Sequence, residues 1–144
     1  MSPFLLDVNV LIALVCEGHV AHAKVKRWFR QTGAKRWATC PLTEAGFVRV
    51  VSNPRFSEHL PDLNEALEML RIVTALDGHR FYPLDLGLLD AVTPVAERLF
   101  GHQQVTDAYL LGMAIKSKAT LVTLDRGIED LAGSEFHSHV LVLD

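Results

Sequence analysis

A chain of 144 residues, 49% hydrophobic and 22% charged, has the size and balance of one globular domain (residues 1–144) with its own apolar core. Its two cysteines, Cys16 and Cys40, are too few for a disulfide scaffold and form no metal-spaced pair, so they read as buried thiols of a reducing compartment. A formal net charge of −3 argues against a passive nucleic-acid binder that works by charge alone, but leaves room for an acidic pocket whose charge is reversed by divalent ions.

The first apolar run, Phe4-Leu5-Leu6, has no basic stretch before it and is cut short by Asp7. Neither a signal peptide nor a membrane span is predicted, and a cytoplasmic protein is expected. That run reads as a strand, and Asn9 is placed to cap a helix beginning at Val10. A second helix carries Ala21, Val25, Trp28 and Phe29 and ends at Gly33. Its basic run, Lys24, Lys26, Arg27 and Arg30 followed by Lys35 and Arg36, reads as a solvated face that can also track a phosphate backbone. The second strand covers residues 36–39, and Pro41 suits the first turn of a helix bearing Glu44, Phe47, Val48 and Val51. Residues 52–61 have the least regular pattern and read as a loop. Asp62 caps a helix with Leu63, Leu67, Leu70 and Val73 on its apolar stripe. A third strand falls at residues 80–82, then a helix at about 88–99 that Pro94 kinks or breaks. The last long helix presents Ala108, Leu111, Gly112 and Ile115 on one face, and strands at 119–123 and 139–142 complete the set.

Strands separated by helices predict an α/β domain: a three-layer α/β/α arrangement around a central five-stranded parallel sheet. In such sheets ligands bind beyond the carboxyl ends of the strands, where strand order reverses. The acids fall at that edge. Asp7 follows the first strand and Asp125 the fourth, while Glu44 and Asp107 lie in the first turns of their helices. Each acid also has a purely structural reading, since carboxylates favour helix N-termini and Asp125-Arg126-Gly127 makes an ordinary turn. Asp7 fits that reading least, because a carboxylate inside Phe4–Ile12 is costly to bury unless paired or metal-bound. The pairs His19/His22 and His137/His139 lack the company of a zinc site and read as surface histidines. No phosphate-binding glycine loop or nucleophile elbow is present.

Four segments together resemble PIN-domain proteins, and more narrowly VapC-type toxins. They are Leu6-Asp7-Val8-Asn9-Val10-Leu11, the run from Thr39 to Arg49, Val105-Thr106-Asp107-Ala108-Tyr109-Leu110, and the run from Leu121 to Gly127. They occur in the family's order and span almost the whole chain. The resemblance implies a metal-dependent endoribonuclease of a toxin–antitoxin pair, with Asp7, Glu44, Asp107 and Asp125 as catalytic, metal-holding acids. Asn9, Thr106 and Thr123 would support them. Glu129 or Asp130 remains an alternative to Asp125, because the family's fourth acid varies. An oxygen-rich donor set would select Mg²⁺ or Mn²⁺. The resemblance further implies a homodimer and a VapB-type antitoxin laid across the apolar helices, for which the helix from Asp62 to Leu76 and the one at Val10 are candidates. The RNA substrate could be a transfer, ribosomal or messenger RNA. Two other readings compete: a PIN-like module that binds RNA or protein without cutting it, and a phosphotransfer or phosphatase domain on a similar sheet. The second is weakened because Asp7 has no adjacent acid and Asp85 no matching lysine motif.

Overall fold

Strand β1 (Phe4–Leu6) is apolar at every position because it runs through the middle of the molecule, where Leu5 and Leu6 lie completely buried on opposite faces of one sheet. The computed structural model describes residues 2–56 and 61–144. Its other strands are β2 (Trp37–Thr39), β3 (His79–Phe81), β4 (Thr120–Thr123) and β5 (Val140–Val142). All pair in parallel, in the order β3-β2-β1-β4-β5. The chain builds the sheet outward from β1 to β2 and β3, then crosses back to add β4 and β5 on the other side. The strand order therefore reverses beside β1.

Helices α1 (Val8–Val15), α2 (His22–Gln31), α3 (Pro41–Val51) and α4 (Leu63–Thr74) go with one face of the sheet, and α5 (Leu88–Val92), α6 (Val105–Lys116) and α7 (Gly127–Ala132) with the other. Side-chain alternation divides the core accordingly. Leu5, Ala38 and Leu121 pack against α6 residues, whereas Leu6, Trp37 and Val122 pack against Val10, Val25 and Phe47. The three-layer α/β/α architecture with a five-stranded parallel sheet is thus the one expected. Among the described residues, no helix is long and apolar enough to cross a membrane.

Several local expectations change. Helix α1 begins at Val8 rather than Val10, and Asp7 is its cap: its backbone is extended and its Oδ1 accepts the Val8 N–H at 2.8 Å. Asn9 is already helical and cannot cap. Pro94 breaks the helix at 88–99, leaving α5 and a tighter 3₁₀ stretch over Thr93–Arg98. Asp62 caps α4 through the Glu65 N–H, and Glu65 returns the bond to the Asp62 N–H. Helix α7 is not among the expected elements and continues from the Asp125-Arg126-Gly127 turn. Residues 57–60 of the expected loop at 52–61 lie outside the described residues. Of the clustered histidines, His22 and His139 bond the carbonyls of Ala13 and Ala119, so they hold backbone rather than stand free.

Two glycines set the positions of functional segments. A Cβ on Gly112 would lie 2.1 Å from the Ala91 carbonyl oxygen, so α6 approaches α5 at a distance only glycine allows. Gly78, with φ +88°, makes the left-handed turn into β3 and leads directly to His79.

Candidate active site

At the end of β1, Asp7 is only 7% exposed. Besides the Val8 amide on Oδ1, its Oδ2 accepts the hydroxyl proton of the fully buried Thr123 at 2.8 Å. Thr123 Oγ1 accepts the Asp125 N–H at 3.0 Å, and Asp125 Oδ1 accepts the Gly127 N–H at 2.8 Å. A chain of hydrogen bonds thus ties the end of β1 to the turn after β4. Asn9 adds a longer strut across the same gap, its Oδ1 accepting the Leu124 N–H at 3.3 Å.

Burial pushes the Asp7 carboxyl up from its ordinary pKa, the Thr123 and Val8 bonds oppose that, and the Asp125 charge adds to it. Asp107, half-buried in the first turn of α6, is pushed up to about 6, first by burial and then by the charges of Asp7 and Asp125. The charge of Asp125 thus acts on Asp7 and Asp107, and that of Asp7 on Asp107, so the three carboxyls lie within electrostatic reach of one another. Asp107 has no hydrogen-bond or ion-pair partner among the described residues, and no salt bridge there involves any of the three. Of the alternatives to Asp125, Glu129 lies 3.8 Å from Arg126, and Asp130 is exposed, as Asp125 itself is.

Glu44 stands apart. Its Oε2 accepts the hydroxyl of buried Thr39 at 2.6 Å, and the same Thr39 oxygen lies 2.7 Å from Nε2 of His79. Its charge is felt at His79, where burial lowers the imidazole pKa while Glu44 and a backbone hydrogen bond at Thr74 act the other way. It does not figure among the charges acting on Asp7 or Asp107. On its other side Glu44 borders a groove of about 510 Å³ lined by Arg49, Leu67, Leu70 and Phe81. Thr106 is exposed beside Asp107. The partnership of Thr39 and His79 with Glu44 was not read from the sequence. The one local hint was a hydroxyl at the end of β2, five residues before the acid.

A cation fits the aspartate cluster on chemical grounds. Three carboxylates share a site with no basic partner among the described residues, and the donors are all hard oxygens. Among the described residues, however, no three His, Cys, Asp or Glu side chains converge closely enough to grip an ion unaided.

A doubly wound sheet with carboxylates at its switch point defines a class of site, and comparison with known proteins narrows it. The PIN domain family matches residues 4–134. Ribonuclease VapC38 of Mycobacterium tuberculosis is 44% identical over 128 residues, covering 89% of each chain. Among solved structures, the sarcin-ricin loop cleaving toxin VapC20 of Mycobacterium tuberculosis superposes with a TM-score of 0.63 at 14% identity, over 88% of this chain and 92% of that one. VapBC2 from Rickettsia felis, bound to a DNA fragment from its promoter, gives 0.61 at 13% identity over 98% of both. At such identities the structures speak for the fold. The chain belongs to the PIN-domain family, within its VapC group.

Proposed function

We propose that this chain is a metal-dependent endoribonuclease that hydrolyses RNA phosphodiester bonds as the toxin of a toxin–antitoxin pair. The observation that carries the reading is the grouping of Asp7, Asp107 and Asp125 at the switch point with no salt bridge to a basic side chain among the described residues. The 44% identity to a named ribonuclease supports it. Asp7, Asp107 and Asp125 would hold Mg²⁺ or Mn²⁺, and Glu44 would act from the neighbouring position through water. When bound, the ion would neutralise phosphate charge and make water a better nucleophile near neutral pH.

The chain's own residues do the rest. Thr123 and the α1 amide hold the Asp7 carboxylate in one orientation, leaving it little freedom to lose when an ion is taken up. Asp107 has no hydrogen-bond partner among the described residues, and burial with the charges of Asp7 and Asp125 raises its pKa, a shift that a bound cation would oppose. Asp125 is fixed through Oδ1, and no hydrogen bond occupies its Oδ2 among the described residues. RNA, repelled by a chain of net charge −3, would follow the ion into the site.

A VapB-type antitoxin would lie in the apolar groove of about 480 Å³ between α1, α2 and α4, lined by Leu14, Val15, Phe29, Met69, Ile72 and Leu76. Ile72 and Leu76 are exposed there, and Lys26 and Arg30 at the margin suit a segment carrying acidic residues. A second copy of the chain would cover Leu88, Leu89 and Phe100, which are exposed on α5 and ahead of α6. Cleavage of structured RNA by the purified chain with Mg²⁺, lost in EDTA and in Asp7→Asn, tests the activity. An Asp7→Asn variant as active as the wild type would reject the site.

A further inference from the structure

The Glu44 corner contains a built arrangement that the proposed reaction does not by itself require. Thr39 is completely buried at the end of β2, yet its hydroxyl is engaged twice, at 2.6 Å by Glu44 Oε2 and at 2.7 Å by His79 Nε2. A hydroxyl has one proton to give. A carboxylate oxygen can only accept, so with that proton on Glu44 the second contact is a hydrogen bond when the ring carries its N–H at Nε2, in competition with the backbone hydrogen bond at Thr74. The clamp therefore requires the order His79 Nε2–H to Thr39 Oγ1–H to Glu44 Oε2.

Every member is held from outside. The His79 ring packs on the buried Trp37 indole with centroids 4.7 Å apart, and β3 pairs in register with β2, setting His79 opposite Trp37. Gly78 makes the left-handed turn that delivers His79 to this position. Thr39 is fixed by its strand. Glu44 leaves the first turn of α3, which begins at Pro41 and is tied to β2 by the Cys40 N–H donating to Thr43 Oγ1 at 3.0 Å. Two short bonds in series from rigid elements leave the Glu44 carboxylate one orientation. A surface glutamate at a helix N-terminus needs no such support.

We propose that Thr39 and His79 are positioning residues of the active site, a hydroxyl–imidazole clamp that holds the Glu44 carboxylate in one orientation on the sheet edge that also carries the aspartate cluster and keeps it from swinging into the groove lined by Arg49 and Phe81. The inference rests on the metal-dependent reading of that cluster. Neither residue touches metal or RNA; both act through Glu44.

The clamp is tested by Thr39→Val, which keeps shape and β-branching but removes the hydroxyl, alongside Thr39→Ser, His79→Gln, His79→Leu and Glu44→Gln. Mn²⁺ affinity is measured by calorimetry and RNA cleavage by kcat and KM, with thermal unfolding as the control for folding. Thr39→Val and His79→Leu should each weaken Mn²⁺ binding by about tenfold, the scale of lost outer-layer contacts at metal sites. Their loss should fall on kcat rather than on KM for RNA. Thr39→Ser, and His79→Gln with its retained N–H, should stay near wild type. Thr39→Val in the Glu44→Gln background should add almost nothing. In ¹⁵N-labelled wild type without metal, the His79 ring should carry its proton on Nε2, protected from exchange, and lose that protection in Thr39→Val. Unchanged Mn²⁺ affinity in folded Thr39→Val, full additivity with Glu44→Gln, or a bare Nε2 would each overturn the clamp. A wild type that neither binds Mn²⁺ nor cleaves RNA would overturn the ribonuclease reading and the clamp's purpose with it. Wild-type activity with unaffected variants would overturn the clamp alone.

Discussion

Where β1 meets β4, Asp7, Asp107 and Asp125 lie together with no salt bridge among the described residues to offset them, Asp125 raising the proton affinity of Asp7 and both raising that of Asp107. On the β2–β3 side of the same edge, Glu44 sits with a hydroxyl on one oxygen and an imidazole behind it. The acids are of one chemical kind and come from equivalent positions in the topology. Their partners make the difference. The first corner is an uncompensated anionic hole, which stores repulsion that a cation can release. The second is neutralised by dipoles and gains its precision from them.

The largest effect expected is at Asp7. Asp7→Asn should abolish Mg²⁺-dependent RNA cleavage while keeping the cap, since Asn caps helices as well as Asp. Because burial disfavours the Asp7 charge, the metal-free variant should unfold at a temperature equal to or above that of the wild type at pH 7. A clear drop in melting temperature would mean that the buried charge has a partner other than an ion.

Next comes the strut between the strands. Thr123→Val removes the hydroxyl that both bonds Asp7 and receives the Asp125 N–H. It should cost roughly 1–3 kcal/mol in urea unfolding and lower Mg²⁺ affinity as well. Loss of stability with intact metal binding would make Thr123 a purely structural link.

A smaller, pH-dependent effect follows from Asp107. Its folded-state pKa of about 6 lies above the ordinary 3.8, so its contribution to stability is fully present below about pH 4 and is lost as pH rises through about 6. Metal-free protein should therefore lose stability between pH 4 and 7, Asp107→Asn should flatten that slope, and Mg²⁺ should offset it. A metal-free stability that rises over this interval would contradict the crowding. The smallest effect separates the two corners most directly. Asp125→Asn should lower the Asp107 pKa in an NMR titration, by less than Asp7→Asn does, whereas Glu44→Gln should leave it in place. Equal shifts from Asp125→Asn and Glu44→Gln would place all four acids in one cluster.

Side-chain alternation explains why the corners separate. Thr123 follows Val122 and shares the face of Leu121, toward α6 and Asp107, whereas Thr39 shares the face of Trp37, toward α1 and α3. The pattern was present in the residues, but its consequence depended on register. Thr123 and Asp7 are 116 residues apart, and Thr39 and His79 are 40 apart.

The sequence by itself determined the layered parallel sheet, because strand and helix periodicities alternate along the chain and alternating elements admit few topologies. It also determined that the acids gather along one edge, since a parallel sheet sends every strand end and following helix start to the same side. Tertiary structure alone decided which residue caps α1. Asn9 and Asp7 have equal cap propensity, and the choice went to the residue left extended where β1 stops. It likewise decided that Pro94 breaks its helix and that Glu44 answers to His79. Those outcomes depend on pairing between distant strands, which fixes distances of a few ångströms that no local pattern encodes.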